Sequence, residues 1–402
     1  MTAASGAPEG PGAQESERSP FARLTELLAP YQPARPLITL SLGEPQHALP
    51  GFVGPVLANH IADFGRYPVA RGIEPFRCAA ASWLSRRFKL PRPVDPDSEL
   101  LVLNGSREGL FFAAIAAARH VSGRHGRPAI LMPNPFYPAY GAGARAANCE
   151  TIYLPTTRDN GFLPDLDAID DATLARTVAV YIASPANPQG AVASQRYFGR
   201  LKQLADRFGF MILSDECYSE IYTGNAPGSM LECAGPDFAN VVAFQSLSKR
   251  SNLPGMRVGF AAGDSRFLAA FHELRNIAAP QVPVPLQHVA IAAYGDEAHV
   301  EENRRLYRIK FDLADQILGR RYHYRRPEGG FCVWLDVSAL GGDEAAAVRL
   351  YREGGVRVVP GSYLARPQPD GSNPGAGFIR LALVQDSETT ADALHRLVEI
   401  LV

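Results

Sequence analysis

The chain has 402 residues, of which 46% are apolar, and its 40 Lys and Arg nearly balance 41 Asp and Glu, giving a formal net charge of -1. This length leaves room for two or three folding units with a large buried core. The near-zero charge argues against a nucleic-acid-binding protein, because phosphate contacts require a basic surplus. No apolar stretch approaches the roughly 18 residues of a membrane span, so we expect neither nucleic acid nor a membrane as a partner.

Residues 1–20 are rich in Ala, Gly, Ser, Pro and Glu and lack the apolar core of a secretion signal, which predicts a disordered tail. The 5 cysteines are scattered and form no C-x-x-C pair, and the 9 histidines are scattered too. We therefore expect no disulfide framework, no metal site and a reducing, cytoplasmic location.

The region 51–295 alternates short apolar runs with longer helical stretches. Helices are expected at Glu108–Val121 and Gln195–Arg207. Continuous apolar runs suit strands that helices cover on both faces. These runs predict strands at Leu100–Leu103, Ala129–Met132, Val178–Ala183, Phe210–Ser214, Val241–Phe244 and Val258–Ala262. The pattern predicts a large α/β domain with a mostly parallel sheet.

The last hundred residues mix strands with flanking helices, which predicts a smaller α+β domain over 296–402. A long helix is expected at about Ala298–Leu318, and a closing helix from about Ser387. The predicted strands are Phe331–Val337, Val356–Val359 and Phe378–Val384. The segment 21–50 precedes the large-domain pattern, and we expect it to pack against the smaller domain.

The run Gly141–Ala146 matches the G-x-G-x-x-A pattern of dinucleotide-binding loops. Such a loop must follow its strand immediately. Here the strand ends near Met132 and three prolines intervene, so small residues in a packed helix are the better interpretation.

A lysine, Lys249, follows the strand Val241–Phe244 and two serines, Ser246 and Ser248. Arg257 comes eight residues later in a glycine-bounded turn. Taken alone, Lys249 is a solvated loop lysine, as most lysines are.

Polar groups also follow the neighbouring strands. Asp215 closes one of them, and by itself it is equally well a helix N-cap. The stretch Ser184–Gly190 by itself is an ordinary Pro-Asn-Gly turn. Asn104–Glu108 opens a helix after a glycine, and free N–H groups at a helix start bind anions.

In chain order, these segments resemble the class I/II aminotransferases of pyridoxal-phosphate (PLP) fold type I. The matching patterns are S-x-S-K followed by G-x-R-x-G at Ser246–Gly259, D-E-x-Y at Asp215–Tyr218, a Pro-Asn-Pro turn at Ser184–Gly190, P-x-Y-P-x-Y at Pro135–Tyr140 and Y-P-x-x-x-G-x-x-x-x-R at Tyr67–Arg77. Ser184 and Gln189 depart from the family's Asn and Thr in that turn.

The resemblance implies a role for each matching residue. Lys249 is the lysine that the family attaches to the cofactor aldehyde, and it also moves the proton. Asp215 faces the pyridine nitrogen, Tyr218 and Asn187 face the phenolic oxygen, and Tyr137 stacks on the ring. The phosphate is expected at Ser106, the Arg107 backbone, Ser246 and Arg257, with Tyr67 from the partner subunit of a homodimer. The substrate carboxylate is expected at Gly43, Asn187 and Arg380.

Longer strings, including Gly43–His47 and Ser246–Arg257, resemble the bacterial succinyldiaminopimelate transaminases of lysine biosynthesis. That family exchanges an amino group between N-succinyl-LL-2,6-diaminopimelate and 2-oxoglutarate, so amino-acid and 2-oxo-acid substrates are implied. Gln46, His47 and Arg250 are candidates for binding the distal end of the substrate. The alternatives are another amino donor (acetylornithine, aspartate or an aromatic amino acid), a PLP-dependent C–S lyase or decarboxylase, and a ligand-responsive regulator.

Overall fold

The computed structural model describes residues 18–402. Its strands, in chain order, are β1 Ile38–Thr39, β2 Leu100–Leu103, β3 Ala129–Asn134, β4 Glu150–Pro155, β5 Thr177–Ala183, β6 Met211–Asp215, β7 Val241–Ser246, β8 Gly259–Gly263, β9 Cys332–Asp336, β10 Val356–Arg357, β11 Val359–Pro360 and β12 Phe378–Ala382. Its α-helices are α1 Pro20–Leu28, α2 Val53–Asn59, α3 Glu74–Arg87, α4 Ser106–His120, α5 Pro138–Ala146, α6 Asp171–Arg176, α7 Gln195–Phe208, α8 Leu247–Arg250, α9 Ser265–Ala278, α10 Val284–Gly295, α11 Ala298–Leu318, α12 Asp343–Gly354 and α13 Ser387–Ile400.

Seven strands form the main sheet in the order β2-β8-β7-β6-β5-β3-β4. Only β8 is antiparallel to its neighbours, so the other six strands point the same way. The predicted α/β class is confirmed, and the six predicted strands agree with the structure to within two residues. Strand β4 was not predicted, because it lies at the sheet edge and most of its side chains are only half buried.

Helices cover both faces of this sheet, as the continuous apolar runs require. Alternate residues of β2 enter different cores: Leu100 and Val102 pack on one face, and Leu101 and Leu103 on the other. Helices α3 and α10 lie on the first face, and α4, α5 and α9 on the second. In α5, a Cβ at Gly143 would collide with the backbone of Phe111, so the small residues there serve helix packing, as predicted.

The C-terminal region forms a second sheet, β11-β12-β9, in which both pairings are antiparallel. The long helix α11 and the closing helix α13 match the prediction and pack against each other. The single strand predicted at Val356–Val359 is two short strands. Its first half pairs with β1 and its second half with β12, so the chain changes partner within this segment.

The N-terminal segment contacts these C-terminal strands. Ile38 pairs with Val356, and the backbone N–H of Ala382 donates to the Leu40 carbonyl at 2.8 Å. These contacts support a division that we propose: a large unit over 51–295 and a smaller unit formed by 21–50 together with 296–402. Of the tail expected over residues 1–20, residues 1–17 lie outside the described residues. Pro20, which the prediction placed in the tail, is the first residue of α1.

Candidate active site

The singled-out segments that adjoin strands of the seven-stranded sheet reach one edge of that sheet. The carboxyl ends of its six parallel strands meet at this edge, where open α/β sheets bind their ligands. Strand β8 runs the other way, so its amino end, next to Arg257, lies at the same edge. The residues at or beside these strand ends are Gly105, Ser106, Tyr137, Asn187, Asp215, Ser246, Lys249 and Arg257.

Lys249 is enclosed by residues from three separate segments. Its Nζ donates a hydrogen bond to the carbonyl of Gly43, and it lies 5.9 Å from the ring centroid of Tyr218 and 5.2 Å from that of Phe331. Burial lowers the pKa of Lys249 to about 8, and the nearby charge of Arg380 acts in the same direction. An amine with this pKa is partly unprotonated near neutral pH and can act as a nucleophile or a base.

Asp215 ends β6 with its carboxylate held by two donors. Tyr140 Oη donates to Oδ2 at 2.6 Å, and the backbone N–H of Cys217 donates to Oδ1 at 3.2 Å. Tyr140 is itself stacked on Tyr181 with ring centroids 4.3 Å apart. Burial raises the pKa of Asp215, while the Tyr140 hydrogen bond opposes that shift. Tyr140 lies in the core, and no motif indicated that its hydroxyl orients this carboxylate.

A candidate anion site lies where α4 begins. Gly105 precedes the helix with φ at +79°, and a Cβ there would collide with the guanidinium of Arg257. The close approach of Arg257 therefore requires glycine. Arg257 Nη1 also donates to the carbonyl of Pro254 at 2.8 Å. Helix N–H groups and a guanidinium are the donors that a phosphate prefers.

Two serines border this anion site. Ser246 caps α8, its Oγ accepting from the backbone N–H of Ser248 at 3.1 Å. The two hydroxyl oxygens lie 2.9 Å apart. Arg107 points elsewhere: its Nε donates to Tyr137 Oη at 2.7 Å. The sequence motif implied only the backbone of Arg107, so this side-chain contact was missed.

The smaller sheet supplies a second cationic group. Arg380, in the central strand β12, is only 5% exposed. Its Nη1 donates to Asn187 Oδ1 at 3.4 Å and its Nη2 to the Ser41 carbonyl at 2.5 Å. Within residues 18–402 its Nε has no hydrogen-bond partner. A guanidinium with an unmet donor can bind a carboxylate through two parallel hydrogen bonds.

Phe331 and Cys332 also line the site, although no motif identified them. The ring of Tyr218 meets Phe331 edge-on at 5.2 Å, and Cys332 Sγ lies 3.9 Å from Asn187 Oδ1. A Cβ at Gly43 would lie 3.3 Å from the Phe331 ring, so the loop at Gly43 packs directly on it. An apolar strand pattern carries no signal for such residues, because only tertiary packing turns one end of β9 toward the site.

Tyr67 is not brought into the site of its own chain. Its side chain is fully exposed. The loop that carries it is fixed by Arg77, whose Nη1 donates to the Gly72 carbonyl at 2.6 Å and whose Nε donates to the Pro96 carbonyl at 2.9 Å. Tyr67 therefore projects into solvent from a held loop.

Three residues were candidates for binding the distal end of the substrate, and one of them, Arg250, does not face the opening of the site. It is 3% exposed, and its guanidinium is bound 2.6 Å from both Glu297 Oε1 and the Ala293 carbonyl. His47 is half buried, with Nε2 2.8 Å from Lys310 Nζ. Burial and the Lys310 charge lower the pKa of His47 to about 4. Gln46 is exposed.

One group of possible metal ligands lies away from this edge, in the part of the chain that the structure describes. Side-chain atoms of His60, Asp63 and His288 lie within 4.8 Å of one another. The two imidazoles are stacked with centroids 3.5 Å apart and an interplanar angle of 7°. Ring lone pairs lie in these nearly parallel planes and do not converge on one ion, so we assign no metal to this cluster. Among the helices of residues 18–402, none is long and apolar enough to cross a bilayer.

A mostly parallel sheet with an enclosed lysine, an aspartate and an arginine at one edge, together with Arg380 from the smaller sheet, is the arrangement expected of an aminotransferase. The chain belongs to the aminotransferase class I and II family, whose model matches residues 35–397. Enzymes of this family depend on PLP and act on amino and 2-oxo acids.

Three relatives illustrate the similarity. The chain is 32% identical to the LL-diaminopimelate aminotransferase of Syntrophobacter fumaroxidans over 90% of each chain. A crystal structure of an aminotransferase from Neisseria meningitidis superposes with a TM-score of 0.89, at 37% identity, over 96% of this chain and 98% of the other. The probable N-succinyldiaminopimelate aminotransferase of Thermus thermophilus superposes with a TM-score of 0.83, at 27% identity, over 95% of this chain and 100% of the other.

Proposed function

We propose that this aminotransferase exchanges the amino group of N-succinyl-LL-2,6-diaminopimelate with 2-oxoglutarate, in the biosynthesis of diaminopimelate and lysine. The observation that carries the amino-transfer chemistry is the proximity of Lys249, in α8, to Asp215 at the end of β6 and to Arg380 in the smaller sheet, since the charges of these groups act on one another. It supplies one amine, one carboxylate and one carboxylate-binding guanidinium around the same space.

The side chains of the candidate site supply the kinds of groups that PLP requires. A phosphate monoester matches the start of α4 together with Ser106, Ser246 and Arg257, where Gly105 leaves room for the guanidinium. Asp215 would face the pyridine nitrogen, Tyr137 the ring, and Tyr218 with Asn187 the phenolic oxygen. When bound, the cofactor supplies an electron-accepting ring that stabilises negative charge at the substrate Cα.

Lys249 would both anchor the cofactor and move the substrate's Cα proton. Its lowered pKa suits this work, because general acid–base catalysis is best when the pKa lies near the working pH. The Gly43 carbonyl accepts a hydrogen bond from Nζ, and the rings of Tyr218 and Phe331 lie near it, with centroids at 5.9 and 5.2 Å. The amine is therefore restrained close to where the substrate Cα would lie.

Arg380 would orient the amino acid by its α-carboxylate. Asn187 and the Ser41 carbonyl already fix two guanidinium nitrogens, so the fork is set before substrate arrives. A preset fork avoids the entropy cost of ordering this side chain during binding.

Two observations support the substrate. The strings around Gly43 and Lys249 resemble succinyldiaminopimelate transaminases, and the Thermus thermophilus structure carries a name of that kind. Free LL-diaminopimelate is a second candidate, favoured by the names of the curated relatives. The two donors differ at the distal end, where the free compound has an ammonium group and the succinylated one an amide with an added carboxylate.

We also propose a homodimer with shared sites, working in the cytoplasm. Tyr67 is fully exposed, and large apolar side chains near it in sequence are exposed too: Leu49, Ile61, Phe64 and Val69. A concentration of exposed apolar residues indicates a surface that another chain covers. Tyr67 would then reach the cofactor phosphate of the partner subunit.

The test is an amino-transfer assay with 2-oxoglutarate, comparing succinyl-diaminopimelate, free LL-diaminopimelate, acetylornithine, aspartate and aromatic amino acids by kcat/KM. Highest kcat/KM for the succinylated donor supports the proposal. Preference for another donor replaces the substrate but leaves the amino-transfer chemistry intact. Release of a keto acid and ammonia without glutamate formation would instead indicate a lyase.

A further inference from the structure

A chain of hydrogen bonds ends two residues from Lys249. Ser251 Oγ lies 2.9 Å from His299 Nε2, and His299 Nδ1 lies 2.7 Å from Asp296 Oδ2. Asp296 also accepts from the backbone N–H groups of Ala298 and His299, at 3.2 and 3.3 Å. This chain of hydrogen bonds therefore runs from the residues at the start of α11 to the segment that bears Lys249.

The donors in this chain all point one way. The Asp296 carboxylate accepts the proton on Nδ1, which leaves Nε2 of a neutral His299 free to accept from the Ser251 hydroxyl. Arg250 Nη1 lies 3.3 Å from Ser251 Oγ and donates to it. Burial lowers the pKa of His299, which favours this neutral ring.

Serine, histidine and aspartate in this order make a nucleophile in many hydrolases. Here the side chain of Ser251 has no exposed surface, and a substrate cannot reach it. Nucleophilic attack is thereby excluded, and the bonds are left with a positioning role.

Further contacts join the same two segments. Glu297 binds the guanidinium of Arg250 at 2.6 Å, and Asn303 Nδ2 donates to the Arg250 carbonyl at 3.2 Å. All these partners lie between residues 293 and 303, where α10 gives way to α11. Helix α11 continues into the C-terminal region, where it packs on α13.

We propose that His299 and Ser251 are positioning residues that fix the Lys249 segment to the start of α11, while Asp296 sets the tautomer of the His299 ring. Through this link, the position of the smaller unit is passed to the lysine. The inference rests on the proposed role of Lys249 but not on the identity of the amino donor.

Two variants of His299 test its two hydrogen bonds separately. His299→Asn keeps a polar atom near the position of Nδ1, facing Asp296, and loses the one facing Ser251. His299→Gln keeps a polar atom near the position of Nε2. We expect His299→Asn and Ser251→Ala to lower kcat about tenfold while KM changes less than about threefold, because small misplacements of a reacting group are costly. His299→Gln should retain most of the activity.

The holoenzyme provides two readouts besides activity. Visible absorbance of the cofactor bound to Lys249, titrated against pH, should show a shifted midpoint in Ser251→Ala and His299→Asn. Hydrogen exchange should rise in residues 247–252 of the same variants. Thr390→Val is the matched control, since Thr390 is also fully buried, and its hydroxyl donates to the Gln385 carbonyl at 3.3 Å far along the chain.

The possible outcomes are distinct. Wild-type-like midpoints and exchange in Ser251→Ala and His299→Asn would overturn the positioning role, as would equal changes in Thr390→Val. Absence of a Lys249-dependent absorbance in the wild-type protein would instead overturn the proposed function itself.

Discussion

Arg380 Nη1 lies 3.4 Å from Asn187 Oδ1, although the two residues are 193 positions apart and belong to different sheets. Asn187 follows β5 of the large sheet, and Arg380 lies in β12 of the smaller one. Their contact joins the two sheets at the candidate site. The space between Lys249 and Arg380 is therefore bounded by both units, and its shape depends on how they pack.

Replacing Arg380 by Ala should weaken binding of both the amino acid and the 2-oxo acid. Loss of a buried charge-assisted pair costs about 2–4 kcal/mol, equivalent to a rise in KM of roughly 30- to 1,000-fold. Steady-state kinetics with each substrate in turn provides the measurement. Arg320→Ala, at an exposed arginine, is the control and should leave both KM values unchanged. Unchanged KM in the Arg380 variant would remove this residue from the site.

Replacing Lys249 by Ala should lower turnover by at least about 100-fold, since a positioned proton-transfer group contributes about 10²- to 10⁴-fold. The chain has only four lysines, Lys89, Lys202, Lys249 and Lys310, which makes the attachment site easy to assign. Borohydride reduction of the holoenzyme followed by peptide mass analysis should place the cofactor on Lys249. Lys89→Ala, at an exposed lysine, should behave as wild type, and a label on any other lysine would contradict the assignment.

The pH dependence of cofactor capture follows from the Lys249 pKa of about 8. Only an unprotonated Lys249 amine could attack the aldehyde of added PLP. The rate of capture by the apoenzyme should therefore rise about tenfold per pH unit below 8 and level off above it. Stopped-flow absorbance with added PLP measures this rate. A profile that keeps rising to pH 10 would mean that burial does not depress this pKa.

Gly105 and Gly123 form a matched pair for testing the anion site. Both have positive φ, +79° and +77°, so alanine costs each about 1–2 kcal/mol of backbone strain. Only at Gly105 does the new Cβ meet Arg257, while nothing lies near Gly123. We expect a similar loss of thermal stability in both apo variants, but a weaker PLP affinity only in Gly105→Ala. Fluorescence titration with PLP makes the comparison, and equal affinities would argue against a phosphate site there.

Mixed dimers test whether Tyr67 completes a partner's site. Lys249→Ala and Tyr67→Ala chains should each be nearly inactive alone. Unfolded and refolded together in equal amounts, half the dimers would be mixed, each with one intact site. The mixture should then recover about a quarter of wild-type activity. No recovery, combined with dimers seen by analytical ultracentrifugation, would show that the sites are not shared.

The sequence by itself determined the fold class and the chemical inventory. Six apolar runs were long enough and apolar enough to predict the large sheet, since buried parallel strands leave a continuous signal. The amphipathic helices α7 and α11 were found to within a residue, because apolar residues recur along one face at helical spacing. Lys249, Asp215 and Arg257 were named by the resemblance of their segments to the aminotransferase family, since Lys249 and Asp215 taken alone have ordinary structural interpretations.

Only the tertiary structure decided which side chains surround Lys249 and where the ambiguous polar residues point. Tyr140, Phe331 and Cys332 reach the site through packing between distant segments, which no local pattern encodes. Arg250, one residue from Lys249, turns inward to Glu297 instead of facing the site mouth, because a buried guanidinium requires a carboxylate partner. Tertiary structure also divided the strand expected at Val356–Val359 between two sheets, because its pairing partners, β1 and β12, come from opposite ends of the chain.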